Sequence, residues 1–308
     1  MKKMKAFVRL SASTQEVQLM EMPIPAFGAK EVLIKVAAFG VGIHDRYYLP
    51  EGINFSYTIG IEGVGTVVEV GSEVNGVSVG EHMIYTTALQ AQGGTWSEYT
   101  VAKSESLVKK PSTLTFEQAA AIPIAGKTAL ESMRELELKE GDTLFVAGAS
   151  GAIGTFIIQL AKAQGVLVAA SASASNQDYM KSLGADKTVD YRDKDWIQKV
   201  KEWSKGGVTA ALAIQPGTEA DSIQLVKENG LLITVSGYNT DLNSERGITI
   251  RQMGHKFFTT KELSELVEEV SKGKIKVIIE KKYSFENALK ALEKVETRHA
   301  SGKLVVVL

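Results

Sequence analysis

The segment Gly141-Asp142-Thr143-Leu144-Phe145-Val146-Ala147-Gly148-Ala149-Ser150-Gly151-Ala152-Ile153-Gly154 constrains this chain more than any other. The run from Thr143 to Ala147 is apolar, with β-branched and aromatic residues, and it enters a Gly-rich turn. Helical spacing follows at once, with Ile153, Phe156, Ile157, Leu160 and Ala161 at i, i+3 and i+4 intervals. After Gly165 a second apolar run, Val166-Leu167-Val168-Ala169-Ala170, reads as a strand. Strand, tight turn, helix and strand make one βαβ unit. Gly148 is expected to let the chain turn sharply, Gly151 to let backbone amides approach a phosphate, and Gly154 to let the helix pack close to the strand. A helix starting at Gly151-Ala152-Ile153 offers unpaired N–H groups and the positive end of a dipole, which suits a pyrophosphate. No Lys-Ser or Lys-Thr follows the glycines, so this is not the mononucleotide phosphate loop. The turn predicts a dinucleotide site formed by Gly148, Ser150, Gly151, Ala152, Ile153 and Gly154.

The length of 308 residues suggests two domains. A net charge of −1 supplies no basic field for holding nucleic acid without specificity. The chain has no cysteine, which rules out disulfides and thiolate zinc sites. Met1-Lys2-Lys3-Met4-Lys5 is basic, but the apolar stretch after it is too short for a secretory signal. No run approaches the ~20 apolar residues of a membrane span. A cytoplasmic protein without membrane or nucleic-acid partners is expected.

From Met4 to about Phe116, short strands such as Val32–Val36, Gly65–Val70 and His82–Tyr85 alternate with Gly and polar turns. This pattern predicts a β-rich, partly open barrel. Phe116 to Leu136 reads as helix, interrupted at Pro123. Beyond the Gly-rich unit, helices are expected at 179–183, 195–203 and 220–227, and strands at 187–191, 209–214 and 231–235. That alternation predicts a parallel sheet covered on both faces. A helix at 263–272, an extended segment at 275–279, a helix at 285–295 and a strand at 304–308 complete the chain.

These features, with Gly60-Ile61-Glu62-Gly63-Val64-Gly65, Gly93-Gly94-Thr95-Trp96-Ser97-Glu98-Tyr99 and Lys181-Ser182-Leu183-Gly184-Ala185-Asp186, resemble the medium-chain dehydrogenase/reductase superfamily. Within it the chain is most similar to the zinc-free quinone oxidoreductase and zeta-crystallin branch. The resemblance implies an α/β architecture: a GroES-like, partly open β-barrel domain (1–116 and 270–308) plus a Rossmann doubly wound parallel sheet (117–269). It also implies a homodimer. Zinc-dependent relatives carry Cys where this chain has Gly42 and His where it has Ile61. Neither residue here can ligate a metal, and only Glu62 remains. The four histidines, His44, His82, His255 and His299, are scattered without ligand spacing. No metal is expected.

An acidic residue at the end of the second strand would bind the ribose hydroxyls of NAD. Here Ser171, Ser173 and Asn176 stand in that stretch, with no acid before Asp178. Small hydroxyl groups leave room for a 2′-phosphate and can hydrogen-bond it. NADP(H) is therefore the expected cofactor, although the lysine that serves NADPH-dependent relatives is replaced by Asn176. The resemblance adds Tyr191 and Arg298 near the adenosine phosphate, and Lys303 is a further candidate cation. Arg298 and Lys303 read equally well as solvated surface charges.

At the reacting end, the resemblance places Thr128 near the nicotinamide ribose and Asp45 and Tyr47 in the substrate cleft. Val235 and Ser236 lie at the carboxyl end of a strand, where open α/β sheets bind ligands. Tyr47 could orient a carbonyl oxygen or relay a proton, or be an aromatic wall. Ala213 replaces an Asp common in relatives. Tyr99 and Lys103 have the Tyr-x-x-x-Lys spacing of short-chain dehydrogenases but precede the Gly-rich turn, so the spacing is taken as chance. The expected activity is NADPH-dependent, metal-free reduction of quinones or α,β-unsaturated carbonyls, whose own π-systems spread negative charge. Two alternatives stand beside it: an NADPH-binding structural or sensing protein, and an aldehyde or ketone reductase.

Overall fold

The computed structural model describes residues 2–50, 52–87, 90–237, 246–254 and 260–308. In chain order the elements begin with β1 (Lys3–Arg9), β2 (Val17–Pro23), β3 (Glu31–Val41), β4 (Tyr57–Thr58), β5 (Glu62–Val70), β6 (His82–Thr86), β7 (Tyr99–Lys103) and β8 (Val108–Lys109). Helices α1 (Phe116–Ala120) and α2 (Pro123–Leu136) lead to β9 (Thr143–Ala147), α3 (Ala152–Ala163), β10 (Leu167–Ala172), α4 (Gln177–Ser182), β11 (Lys187–Asp190) and α5 (Trp196–Trp203). Then come β12 (Val208–Ala213), α6 (Glu219–Leu225), β13 (Val226–Thr234), β14 (Thr249–Gln252), α7 (Thr260–Ser271), β15 (Ile279–Ser284), α8 (Ala288–Glu296) and β16 (Lys303–Val307).

The chain divides into two compact units, Met1–Ile124 with Phe258–Leu308, and Ala125–Phe257. These limits differ from the expected 116/117 and 269/270 because α1 packs on β3, β5 and β16, and α7 on β8. Both helices thus belong to the β-rich unit. A capping box starts α1: the Gln118 N–H donates to Thr115 Oγ1 at 3.2 Å, and the Thr115 N–H donates to Gln118 Oε1 at 3.0 Å. Pro123 is the first residue of α2, a position where its missing N–H costs nothing.

In the β-rich unit a seven-stranded sheet runs β15-β16-β3-β5-β6-β8, with β7 also on β3, and a three-stranded sheet runs β2-β1-β4. The last strand of the chain returns to this sheet, because β16 pairs antiparallel with β3, Leu304 opposite Val41. The core holds the stacked pair Phe39–Trp96, ring centroids 5.0 Å apart, with Phe7 and Phe285 against it. The extended segment before α8 differs from expectation: it is expected at 275–279, whereas the strand is Ile279–Ser284. Lys281, Lys282 and Tyr283 alternate poorly with apolar residues, so the sequence pattern there is weak.

The second unit is a six-stranded sheet ordered β11-β10-β9-β12-β13-β14, with every neighbouring pair parallel. The order reverses between β9 and β12, which makes the carboxyl end of β9 the topological switch point of a doubly wound sheet. Its core includes Phe145 stacked on Trp196, centroids 5.5 Å apart. The edge strand β14 was not expected, because Thr249-Ile250-Arg251-Gln252 is short and mostly exposed.

Candidate functional site

The Gly-rich turn leaves β9 at the switch point. Gly148 has φ +76°, a conformation that a side chain strains. At Gly154 a Cβ would lie 2.6 Å from the Cα of Ala149 and 2.7 Å from its carbonyl carbon, so only glycine lets α3 pack this close to the strand end. Gly151 is the N-cap of α3 and supplies no side-chain cap. The first amides of α3, from Ala152, Ile153 and Gly154, therefore keep their donors for another acceptor. A Cβ at Gly151 would meet only the Gly148 carbonyl, at 3.5 Å, so the space over the turn is open. These features fit a pyrophosphate.

Two contacts brace the turn. The Ala149 N–H donates to the Ser171 carbonyl at 3.1 Å, tying it to the end of β10. The Tyr179 hydroxyl, from α4, donates to the Ser150 carbonyl. Sequence reasoning missed Tyr179, whose helical position carries no motif.

Along β10, Ser171 is buried, whereas Ser173 and Asn176 are half-buried beyond the strand end. Ser173 Oγ lies 3.2 Å from Ser175 Oγ and accepts from Asn176 Nδ2 at 3.2 Å. Tyr191 follows β11 and is exposed. Val235 is buried and extends beyond β13 through its N–H to the Ala213 carbonyl at 2.9 Å; Ser236 follows, half-buried. Thr128 is half-buried inside α2, and its carbonyl accepts from Ser132 Oγ at 2.8 Å.

The β-rich unit holds the other candidates, and here two expectations change. Lys303 is not a surface cation for a phosphate. It is the first residue of β16, is 6% exposed, and forms a buried ion pair with Glu62 on β5. The other Glu62 oxygen accepts the Ile124 N–H at 2.7 Å. Gly40 is required beside them, since a Cβ there would lie 2.6 Å from Glu62 Oε1 and 2.7 Å from Lys303 Cε.

Asp45 does not line an open cleft; it is 1% exposed. Its Oδ2 accepts the Gly42 N–H at 2.8 Å and the Trp96 indole N–H at 3.1 Å, while Oδ1 has no hydrogen-bond partner among the described residues. Burial pushes its carboxyl up to about 7, opposed by the Gly42 amide, the Lys303 charge and the Trp96 indole and reinforced by Glu62. Asp45 thus anchors the segment that carries Tyr47, which is exposed. The same segment is clamped by Arg46, whose Nε donates to Glu296 Oε1 at 2.6 Å. Arg298 is an exposed residue of this unit with φ +59°. Among the described residues, no group of three or more His, Asp or Glu could hold a metal ion; His255 lies outside them.

Comparison with known proteins fits this layout. The alcohol dehydrogenase GroES-like domain family matches residues 28–112, and the family described as zinc-binding dehydrogenase matches residues 183–306. The chloroplast envelope quinone oxidoreductase homolog of Arabidopsis thaliana is 30% identical over 307 residues, covering 93% of this chain and 92% of its own. The chain belongs to the quinone oxidoreductase branch of the medium-chain dehydrogenase/reductase superfamily. Another relative in this superfamily is the chloroplastic NADPH-dependent alkenal/one oxidoreductase of Arabidopsis thaliana, 29% identical over 324 residues and covering 99% of this chain and 80% of its own. Among solved structures, the quinone oxidoreductase of Coxiella burnetii superposes with a TM-score of 0.90 at 28% identity, each chain fully covered. The β-rich unit is accordingly the GroES-like domain and the parallel-sheet unit the Rossmann domain. The chain is an oxidoreductase of the quinone/enone type.

Proposed function

We propose that this chain is an NADPH-dependent, zinc-independent enzyme that reduces quinones or α,β-unsaturated carbonyl compounds. The observation that carries the cofactor assignment is the end of β10: the Ser173, Ser175 and Asn176 hydroxyl and amide groups stand where an NAD-selective site would carry an acid. The open amides of α3 would bind the pyrophosphate, and Val235 and Ser236 lie at the same carboxyl edge for the nicotinamide half. When bound, the cofactor supplies a hydride from its nicotinamide ring.

Zinc independence rests on side-chain chemistry. Gly42 and Ile61 have no ligating atom, and Glu62 is already neutralised by Lys303 and held by the Ile124 amide. Without a Lewis acid, acceptors that delocalise charge are favoured over simple ketones. The names of the relatives, quinone oxidoreductase and alkenal/one oxidoreductase, support the same two acceptor classes. Tyr47 is assigned to orient the acceptor oxygen, with Asp45 positioning its segment. Asp45 itself, being buried, makes no contact with substrate in this reading.

The test follows NADPH consumption with a benzoquinone and, separately, an enone, each with and without a chelator, with NADH in parallel. Chelator-resistant turnover with NADPH is expected. Loss of activity on chelation would overturn zinc independence, and preference for NADH would overturn the cofactor assignment. NADPH binding with no turnover on either acceptor would move the protein to the binding or sensing class.

A further inference from the structure

The parallel register sets Ala172 of β10 beside Asp190 of β11. The next residues, Ser173 and Tyr191, therefore leave the same carboxyl edge of the sheet side by side. On the β10 side the polar groups are neutral. Ser173, Ser175 and Asn176 can hydrogen-bond a phosphate but cannot balance its charge.

A cation does stand on the β11 side. The Arg192 guanidinium lies over the Tyr191 ring, 5.3 Å from its centroid, and Nη2 donates to the Tyr191 hydroxyl at 3.3 Å. The Arg192 backbone N–H donates to Asp190 Oδ1 at 3.0 Å, which fixes the turn out of the strand. Of the carboxylates that flank this stretch, Asp190 accepts the Arg192 N–H, Asp178 pairs with Lys181 at 3.5 Å and Asp193 with Lys199 at 3.1 Å. Stacking on a ring holds a guanidinium without neutralising it. Its remaining N–H donors form a planar fork that matches two oxygens of a phosphate.

We propose that Arg192 is the specificity-determining cation for the 2′-phosphate of the nucleotide, with Tyr191 as the platform that orients it. This inference rests on the NADPH reading above. The charge that the neutral groups beyond β10 lack is, in this chain, supplied from the end of the neighbouring strand, β11. A 2′-hydroxyl offers no charge to the same fork, so NADH should not sense the residue.

The test measures binding of NADPH and of NADH to the full chain by calorimetry, for wild type, R192Q and R192K. Adenosine 2′,5′-bisphosphate and 5′-AMP serve as probes that lack the nicotinamide half. R192Q is expected to weaken NADPH and the bisphosphate by roughly 10- to 100-fold, as for loss of a hydrogen-bonded charge, and to leave NADH and 5′-AMP unchanged. R192K should recover part of the loss. Thermal unfolding of each variant checks that the fold is kept, as expected for an exposed side chain. Unchanged NADPH affinity in R192Q, or an equal loss for both nucleotides, would overturn the assignment. Wild-type protein that fails to prefer NADPH over NADH would instead overturn the cofactor reading itself, and Arg192 with it.

Discussion

The Lys303 ammonium and the Glu62 carboxylate face each other inside the GroES-like domain, with side chains 7% and 1% exposed. One strand returning from the far end of the chain, β16, thereby delivers a charge to the sheet formed by the first hundred residues. Removing one member leaves the other charged and buried, which typically costs about 3–5 kcal/mol. Lys303→Met is therefore expected to be severely destabilised in urea unfolding. The double variant Lys303→Met with Glu62→Leu should regain much of that loss, because both charges leave together. A single variant as stable as wild type would show that the pair is solvated.

Asp45 should make the stability of the GroES-like domain depend on pH. Its folded value is raised to about 7 from an ordinary 3.8, chiefly by burial. Between those values the folded state holds a proton that the unfolded chain releases, so stability falls as pH rises. The contribution is fully present below about pH 4 and is lost as pH passes through about 7, at most about 4 kcal/mol in all. Asp45→Asn mimics the protonated form and lacks this titration. The stability difference between wild type and Asp45→Asn should therefore widen from pH 4 to pH 7, with wild type losing ground. A constant difference across that range would mean that Asp45 does not titrate there.

These two residues also show where the sequence was mute. The Gly-rich turn was legible because its signals are local: a β-branched run, three glycines and a 3.6-residue period lie within about twenty positions. The alternation behind it predicted the parallel sheet for the same reason. Ser301-Gly302-Lys303-Leu304 instead looks like a polar turn. Only the pairing of β16 with β3, and the approach of β5, turns Lys303 inward onto Glu62. Asp45 likewise resembles a loop carboxylate until Trp96, some fifty residues away, places its indole N–H against it. Charge neutralisation across a sheet is a property of long-range register, which no local pattern encodes. Arg192 differs in kind: it adjoins Tyr191 in the sequence, but a lone arginine after a strand carries no local pattern that marks it as more than a solvated charge.

Tyr179 carries the last prediction. Its hydroxyl donates to the Ser150 carbonyl, and Ser150 immediately precedes the N-cap glycine of α3. The bond is made to the backbone of the turn and not to the space above it, so through it Tyr179 fixes where the open Ala152, Ile153 and Gly154 amides stand. Tyr179→Phe keeps the ring and removes the bond. A neutral hydrogen bond contributes about 1 kcal/mol net, so a loss of that size is expected in unfolding and roughly a fivefold weakening in nucleotide binding. Because the turn serves the pyrophosphate, NADPH and NADH should weaken alike, which separates Tyr179 from Arg192. Quenching of the fluorescence of Trp196 and Trp203, which lie in the same unit as the turn, would report both nucleotides in one titration. If affinity stays intact while stability drops, the bond supports α4 alone and the turn keeps its shape without it.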